Sequence, residues 1–93
     1  MQTYIKFIGQ WDDKTFGKSW RVPSLIKHLQ KEVNELAANP SDPEEAADIF
    51  ITLATICWHQ KWQLGYHVMR KMRKNLQHKW REPDKDGVIE HSE

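Results

Sequence analysis

Apolar side chains recur through the middle of the chain at helical spacing. Leu25, Ile26, Leu29, Val33 and Leu36 fall within a sector of about 100° when each residue is advanced by about 100°. Such a stripe predicts a helix with one face on the core, opened by Pro23 or Ser24 and running to about Ala38. His28, Glu32 and Glu35 sit immediately beside the stripe, not on the far, solvated face. Asn39-Pro40-Ser41-Asp42-Pro43 is a cluster of helix breakers. Ser41 or Asp42 can cap the next helix, with Pro43 in its first turn and Glu44 and Glu45 at its positive end.

This second helix is expected to run to about His59. Its apolar residues, from Ala46 and Ala47 through Ile49, Phe50, Ile51, Leu53 and Ala54 to Trp58, cover most of its circumference. That pattern predicts an inner helix. Glu45, Asp48, Thr52, Thr55 and His59 interrupt it as one polar stripe about 80° wide. Residues 60–65 read as a short connector whose Gly65 is compatible with a helix, and a third helix then extends to about Trp80. Its core stripe is expected to be Val68, Met69, Met72, Leu76 and Trp80, edged by Lys71, Asn75, His78 and Lys79. Arg70, Arg73, Lys74 and Gln77 take the outer face. The first 22 residues are aromatic and mixed, with Gly9 and Gly17 as expected loop points, and residues 81–93 form a polar, turn-rich tail. With no internal repeat, the reading is a single all-helical domain over residues 1–93.

Composition sharpens this picture in three ways. Five Trp, two Tyr and three Phe are more aromatic surface than 93 residues readily bury, which predicts a homo-oligomer. Lys and Arg number 14 against 13 Asp and Glu, which argues against a protein that coats nucleic acid. The single Cys57 excludes an internal disulfide, fits a reducing compartment, and falls on the apolar side of its helix as a small core residue. The N-terminus lacks the apolar run of a signal peptide, and no stretch nears the roughly 20 apolar residues that span a membrane. The expected location is therefore the cytoplasm, a host's cytoplasm if the protein is viral.

Chemistry concentrates in two acidic pairs, Glu32/Glu35 and Glu45/Asp48. Each has i, i+3 spacing, so each projects from one side of one helical turn. Either pair alone is ordinarily a solvated face or a dipole-friendly first turn. Here a tight loop joins the helices, which makes them antiparallel neighbours and turns the pairs toward each other. Four converging carboxylates repel one another unless cations lie between them, and hard oxygen ligands select Mg²⁺ or Mn²⁺ over zinc. Mg²⁺ held by a few carboxylates keeps open positions for substrate phosphates. Lys71, Asn75 and Lys79 are the candidate phosphate contacts. His28 is placed to assist the site or simply to sit at the core edge. Trp11, Phe16 and Trp20 can stack a base, fill the core or line a subunit interface.

HLQKEVNEL, a Pro-containing loop, EEAADIFITLA, KMRKNLQHKW and PDKDGVIEH follow one another in this chain. In that order they resemble the MazG-like all-α nucleoside triphosphate pyrophosphohydrolases. The similarity is greatest to the short branch described as dATP/dGTP diphosphohydrolases, and WDDKTFG near the N-terminus fits that branch too. The resemblance covers residues from about Trp11 to His91. It implies a four-helix-bundle type fold assembling as a homodimer or homotetramer. It implies cleavage between the α- and β-phosphates of a nucleoside triphosphate, dGTP before dATP, giving a monophosphate and pyrophosphate. Metal-ligand positions then fall on Glu32, Glu35, Glu45 and Asp48, and the phosphate-contacting Lys/Asn motif on Lys71 and Asn75. Glu35, with Glu32 beside it, is the candidate acceptor of the attacking water's proton; Lys79, His28 and Trp11 are further candidate substrate contacts. Two positions depart from the branch: His78 stands where Arg is frequent, and Thr55 where Asp is frequent. The alternative reading is a non-catalytic helical module, regulatory or binding nucleic acid through Arg70, Arg73, Lys74 and Arg81.

Overall fold

Between Asn39 and Asp42 the chain reverses, and a helix leaves on either side. The computed structural model, which describes residues 1–17 and 21–77, contains four helices and among those residues no strand. They are α1 (Gln2–Phe16), α2 (Val22–Ala38), α3 (Pro43–Gln60) and α4 (Leu64–Gln77). Asp42 is the N-cap of α3: its carboxylate accepts from the Glu44 backbone N–H at 3.0 Å. Pro43 follows at the first helical position, where no N–H is needed, and Glu44 and Glu45 meet the positive helix end. The helix stops at Lys61, which takes the left-handed conformation at φ 60°.

α3 is the central element and packs against both α1 and α2. It gives Ala54 and Cys57 to one small cluster, completed by Ile5 of α1, with Ile8, Phe50, Leu53, Trp58 and Leu64 around it. It gives Ile56 to a second cluster with Val22, Leu25 and Leu29 of α2. α4 reaches the core chiefly through Leu64, near its start.

The N-terminal segment is where the fold departs most from the expected elements. A full helix replaces the expected loop at Gly9. Ile5, Ile8, Gly9 and Asp12 recur at helical spacing and turn toward α3, with Ile5, Gly9 and Asp12 buried. Gly9 serves close approach: a Cβ there would lie 2.1 Å from Cδ2 of the Trp58 indole. Gly17 does end a helix, with φ 82° at the C-cap of α1.

Three apolar expectations are also corrected. Leu25 is buried and Leu29 and Leu36 half-buried, but Ile26 and Val33 are exposed. A stripe about 100° wide is broader than the seam α2 forms with its one large neighbour, so its margins stay open. α3 is not covered all round, since Ala46, Ala47 and Ile51 are exposed. On α4, Val68, Met69 and Met72 are exposed and Leu76 is 80% exposed. No other described helix packs closely against α4, so among the described residues this stripe is not core. Trp80 lies outside the described residues.

Candidate active site

The tight loop sets α2 beside α3 and brings the acidic pairs together at one end of the hairpin. Glu32 is 5% exposed, Glu35 and Glu45 are half-buried, and Asp48 is exposed. Glu32 Oε1 and Glu45 Oε2 are enclosed and have no hydrogen-bond partner among the described residues. Burial raises the Glu45 carboxyl above its ordinary value, and the charges of Glu35, Asp42, Asp48 and Glu44 push it further the same way. Glu35 acts on Glu45 from the facing helix, so charge repulsion crosses the hairpin. Among the described residues no lysine or arginine forms an ion pair with any of the four carboxylates. Among the described residues the ion-pair partner of Glu32 is His28, whose Nε2 lies 3.4 Å from Glu32 Oε2.

A buried carboxylate oxygen without a donor is costly, and an all-oxygen set without protein counter-charge is worse. Both features fit a divalent cation with hard-ligand preference, Mg²⁺ or Mn²⁺. Two of the four acids, Glu32 and Asp48, open onto a cleft of about 330 Å³, at the lower end of ligand-pocket sizes. Glu32, Asp48 and His28 line one part of it, and Trp11, Phe16 and Arg21 line another. The Trp11 and Phe16 rings meet edge to face with centroids 5.7 Å apart. The Arg21 guanidinium lies 4.7 Å above the Phe16 ring. Thr55, also in the wall, donates its hydroxyl to the Ile51 carbonyl at 3.0 Å. This hydroxyl is thus satisfied inside its own helix.

The structure gathers Glu32, Asp48, His28 and Trp11 at the cleft, with Glu35 and Glu45 at the hairpin beside it. It does not bring Lys71 or Asn75 into the cleft wall. Lys71 lies along α4 in a shallow groove with His67 and Val68, and Asn75 Nδ2 contacts Met72 Sδ at 3.9 Å. Lys79 lies outside the described residues, as do Trp20, His78 and Arg81.

A second acidic group was not visible as such in the sequence. Asp12 is 2% exposed, accepts from Arg21 Nη1 at 2.5 Å through Oδ1, and lies 3.0 Å from His59 Nε2 through Oδ2. Asp13 Oδ2 accepts from the Trp58 indole N–H at 3.0 Å. One ligand atom from each of Asp12, Asp13 and His59 falls within 4.8 Å of the others, close enough to hold a cation. Both Asp12 oxygens are already partnered, so a cation here would enter between Asp12 and His59 in place of their hydrogen bond. The signal was the spacing of Asp12 from Ile5 and Ile8, which puts a carboxylate on an apolar stripe; Arg21 carried no comparable mark.

Sequence comparison adds what geometry alone leaves open. The model of the dATP/dGTP pyrophosphohydrolase family matches residues 4–92. The chain belongs to the dATP/dGTP pyrophosphohydrolase family. A member of that family is a nucleoside triphosphate pyrophosphohydrolase, so the chain is an enzyme that acts on a nucleotide. Among solved structures, the chain is similar to one described as the cyanophage S-2L MazG-like pyrophosphohydrolase bound to dGDP and three catalytic Mn²⁺ ions per active site. The TM-score is 0.85 at 23% identity, covering 99% of this chain and 96% of that one. That likeness establishes a MazG-like helical fold for this dATP/dGTP pyrophosphohydrolase family member. Comparison with curated proteins finds no match. No described helix is long and apolar enough to cross a membrane.

Proposed function

We propose that this enzyme hydrolyses a purine deoxynucleoside triphosphate, dGTP before dATP, to the monophosphate and pyrophosphate. Glu32, Glu35, Glu45 and Asp48 hold Mg²⁺ or Mn²⁺ in this reading. The observation that carries it is the pair of enclosed, unpartnered oxygens of Glu32 and Glu45 on facing helices. The dGDP and Mn²⁺ of the cyanophage protein support both the ligand class and the ion. Bound there, the cations neutralise the triphosphate and acidify the attacking water.

The chain's own residues then have separable tasks. Glu35 is half-buried beside the cleft and accepts the proton of the attacking water, with Glu32 next to it. His28 steadies the Glu32 carboxylate from the preceding turn. Trp11, half exposed at the cleft, offers its ring to the base. Lys71, Asn75 and Lys79 meet the phosphates and offset charge on the leaving pyrophosphate. Their helix, α4, leaves Val68, Met69, Met72 and Leu76 uncovered, which supports a homodimer or homotetramer that seats this face and brings the basic edge to a site. A deoxynucleotide substrate supports a cytoplasmic location, or a host's cytoplasm for a viral enzyme.

The test is pyrophosphate release from dGTP with Mn²⁺ or Mg²⁺, repeated with a chelator and with dATP, dCTP and dTTP. Release of dGMP and pyrophosphate only with metal, fastest for the purines, is the expected result. No release from any of the four nucleotides would overturn the proposal.

A further inference from the structure

The cleft has two chemically different ends. One is formed by carboxylates, which bind cations and through them phosphates. The other is formed by the rings of Trp11 and Phe16, which suit the flat face of a base and offer nothing to a phosphate. A nucleotide with its phosphates among the acids therefore lays its base against the aromatic end, and Arg21 is the cation there.

The Arg21 guanidinium is fixed from two sides. Asp12, itself buried, accepts from Nη1 at 2.5 Å, and the Phe16 ring lies 4.7 Å below the guanidinium carbon. Asp12 is in turn held by His59 at 3.0 Å. These contacts use one of the five guanidinium N–H groups, and the side chain stays 25% exposed at the cleft. An immobilised planar fork with free donors is suited to two acceptors lying side by side on one ligand. Guanine presents such a pair, O6 and N7, whereas adenine presents one acceptor and one donor on the same edge.

Resting on the nucleotide reading above, we infer that Arg21, positioned by Asp12, His59 and Phe16, is a specificity-determining residue that reads O6 and N7 of a guanine base. Arg21 supplies the two hydrogen bonds and is the contact residue. Asp12 is a positioning residue that touches no substrate.

The experiment compares kcat/KM, with Mn²⁺, for dGTP, 7-deaza-dGTP and dATP on the full chain and on Arg21→Lys, Arg21→Ala and Asp12→Asn. Arg21→Lys keeps a cation beside Asp12 but removes the fork, so it separates recognition from folding; melting and helical circular dichroism verify that it folds. For the unaltered enzyme, dGTP should exceed both 7-deaza-dGTP and dATP by about tenfold, the size of one two-donor base contact. In Arg21→Lys and Arg21→Ala those two ratios should collapse toward one, the loss falling mainly in KM for dGTP. Asp12→Asn should shrink them by a smaller factor. Equal losses for all three nucleotides in Arg21→Lys would make Arg21 a phosphate contact or a purely structural residue, and would overturn the inference. So would an unaltered enzyme indifferent to 7-deaza substitution. An enzyme that cleaves no nucleotide would refute the proposed function instead. The inference would then be read from equilibrium dialysis of dGDP against 7-deaza-dGDP, and equal affinities would overturn it.

Discussion

α3 carries one acidic group near its start and closes another near its end, and the two have opposite economies of charge. Near the start, Glu45 and Asp48 face Glu32 and Glu35 across the hairpin, with two enclosed oxygens lacking donors and no described lysine or arginine paired to them. Near the end, His59 meets Asp12, whose other oxygen takes Arg21, while Asp13 takes the Trp58 indole. Counting carboxylates and imidazoles would mark both as metal sites. Satisfaction separates them. Among the described residues the first group is short of positive charge; in the second the buried Asp12 has a partner at each oxygen and ties α1 and the start of α2 to α3.

The largest effect should come from breaking the unsatisfied group. Glu35→Ala or Asp48→Ala is expected to lower turnover on the order of a thousandfold or more, the scale for a group that works as part of a catalytic unit. The same variants should lose the rise in melting temperature that Mn²⁺ gives the unaltered protein. Near-normal pyrophosphate release from both would move the ions elsewhere, with the Asp12 group next in line.

Breaking the satisfied group should do the reverse. Asp12→Ala leaves Arg21 and His59 without their shared acceptor. Losing one partner of a buried pair costs about 3–5 kcal/mol, and about 2–4 kcal/mol is expected here because Arg21 is 25% exposed. Urea unfolding measures it, with the Mn²⁺ increment in melting temperature retained. Loss of that increment would make Asp12 a ligand and erase the distinction between the two groups.

Legibility in the sequence follows the same division. The α2–α3 hairpin could be read because its signals are local: an apolar stripe, the Asn39–Pro43 breakers, an Asp42 cap and acids three residues apart. α1 could not be read, because Gly9 is a poor helix residue and the reason for it, Trp58, lies 49 positions along the chain. The α4 stripe was seen, yet its burial depends on a surface no described residue supplies. Asp12 and Arg21 escaped for a related reason. Their meaning comes from each other and from His59, and no spacing rule links three residues on three elements.

A smaller effect tests whether α1 is held as described. Gly9→Ala gains up to about 1 kcal/mol of helix propensity. The new Cβ would meet the Trp58 ring at 2.1 Å, and such overpacking costs about 1–3 kcal/mol or more. Net destabilisation in urea is expected, again with the Mn²⁺ increment intact because the hairpin is untouched. A more stable variant would mean that α1 does not rest on Trp58.

The smallest effect distinguishes a site built for stability from one built for binding. Glu45 is raised by burial first and then by Glu35, Asp42, Asp48 and Glu44. A carboxyl raised in the folded state favours folding most when protonated. Its contribution is full below the ordinary carboxylate value and is lost as pH climbs through the raised one. Metal-free protein should therefore lose melting temperature from this group as pH rises above the ordinary carboxylate range. Glu45→Gln should flatten that slope and raise the metal-free midpoint at neutral pH, while abolishing stabilisation by Mn²⁺. A cation reverses the sign, because it binds the carboxylate and not the acid, so for the unaltered protein the Mn²⁺ increment should grow with pH over the same window. A Glu45→Gln variant that melts lower than the parent without metal would show that Glu45 already has a partner in the fold, and the contrast with Asp12 would fail at its most exposed point.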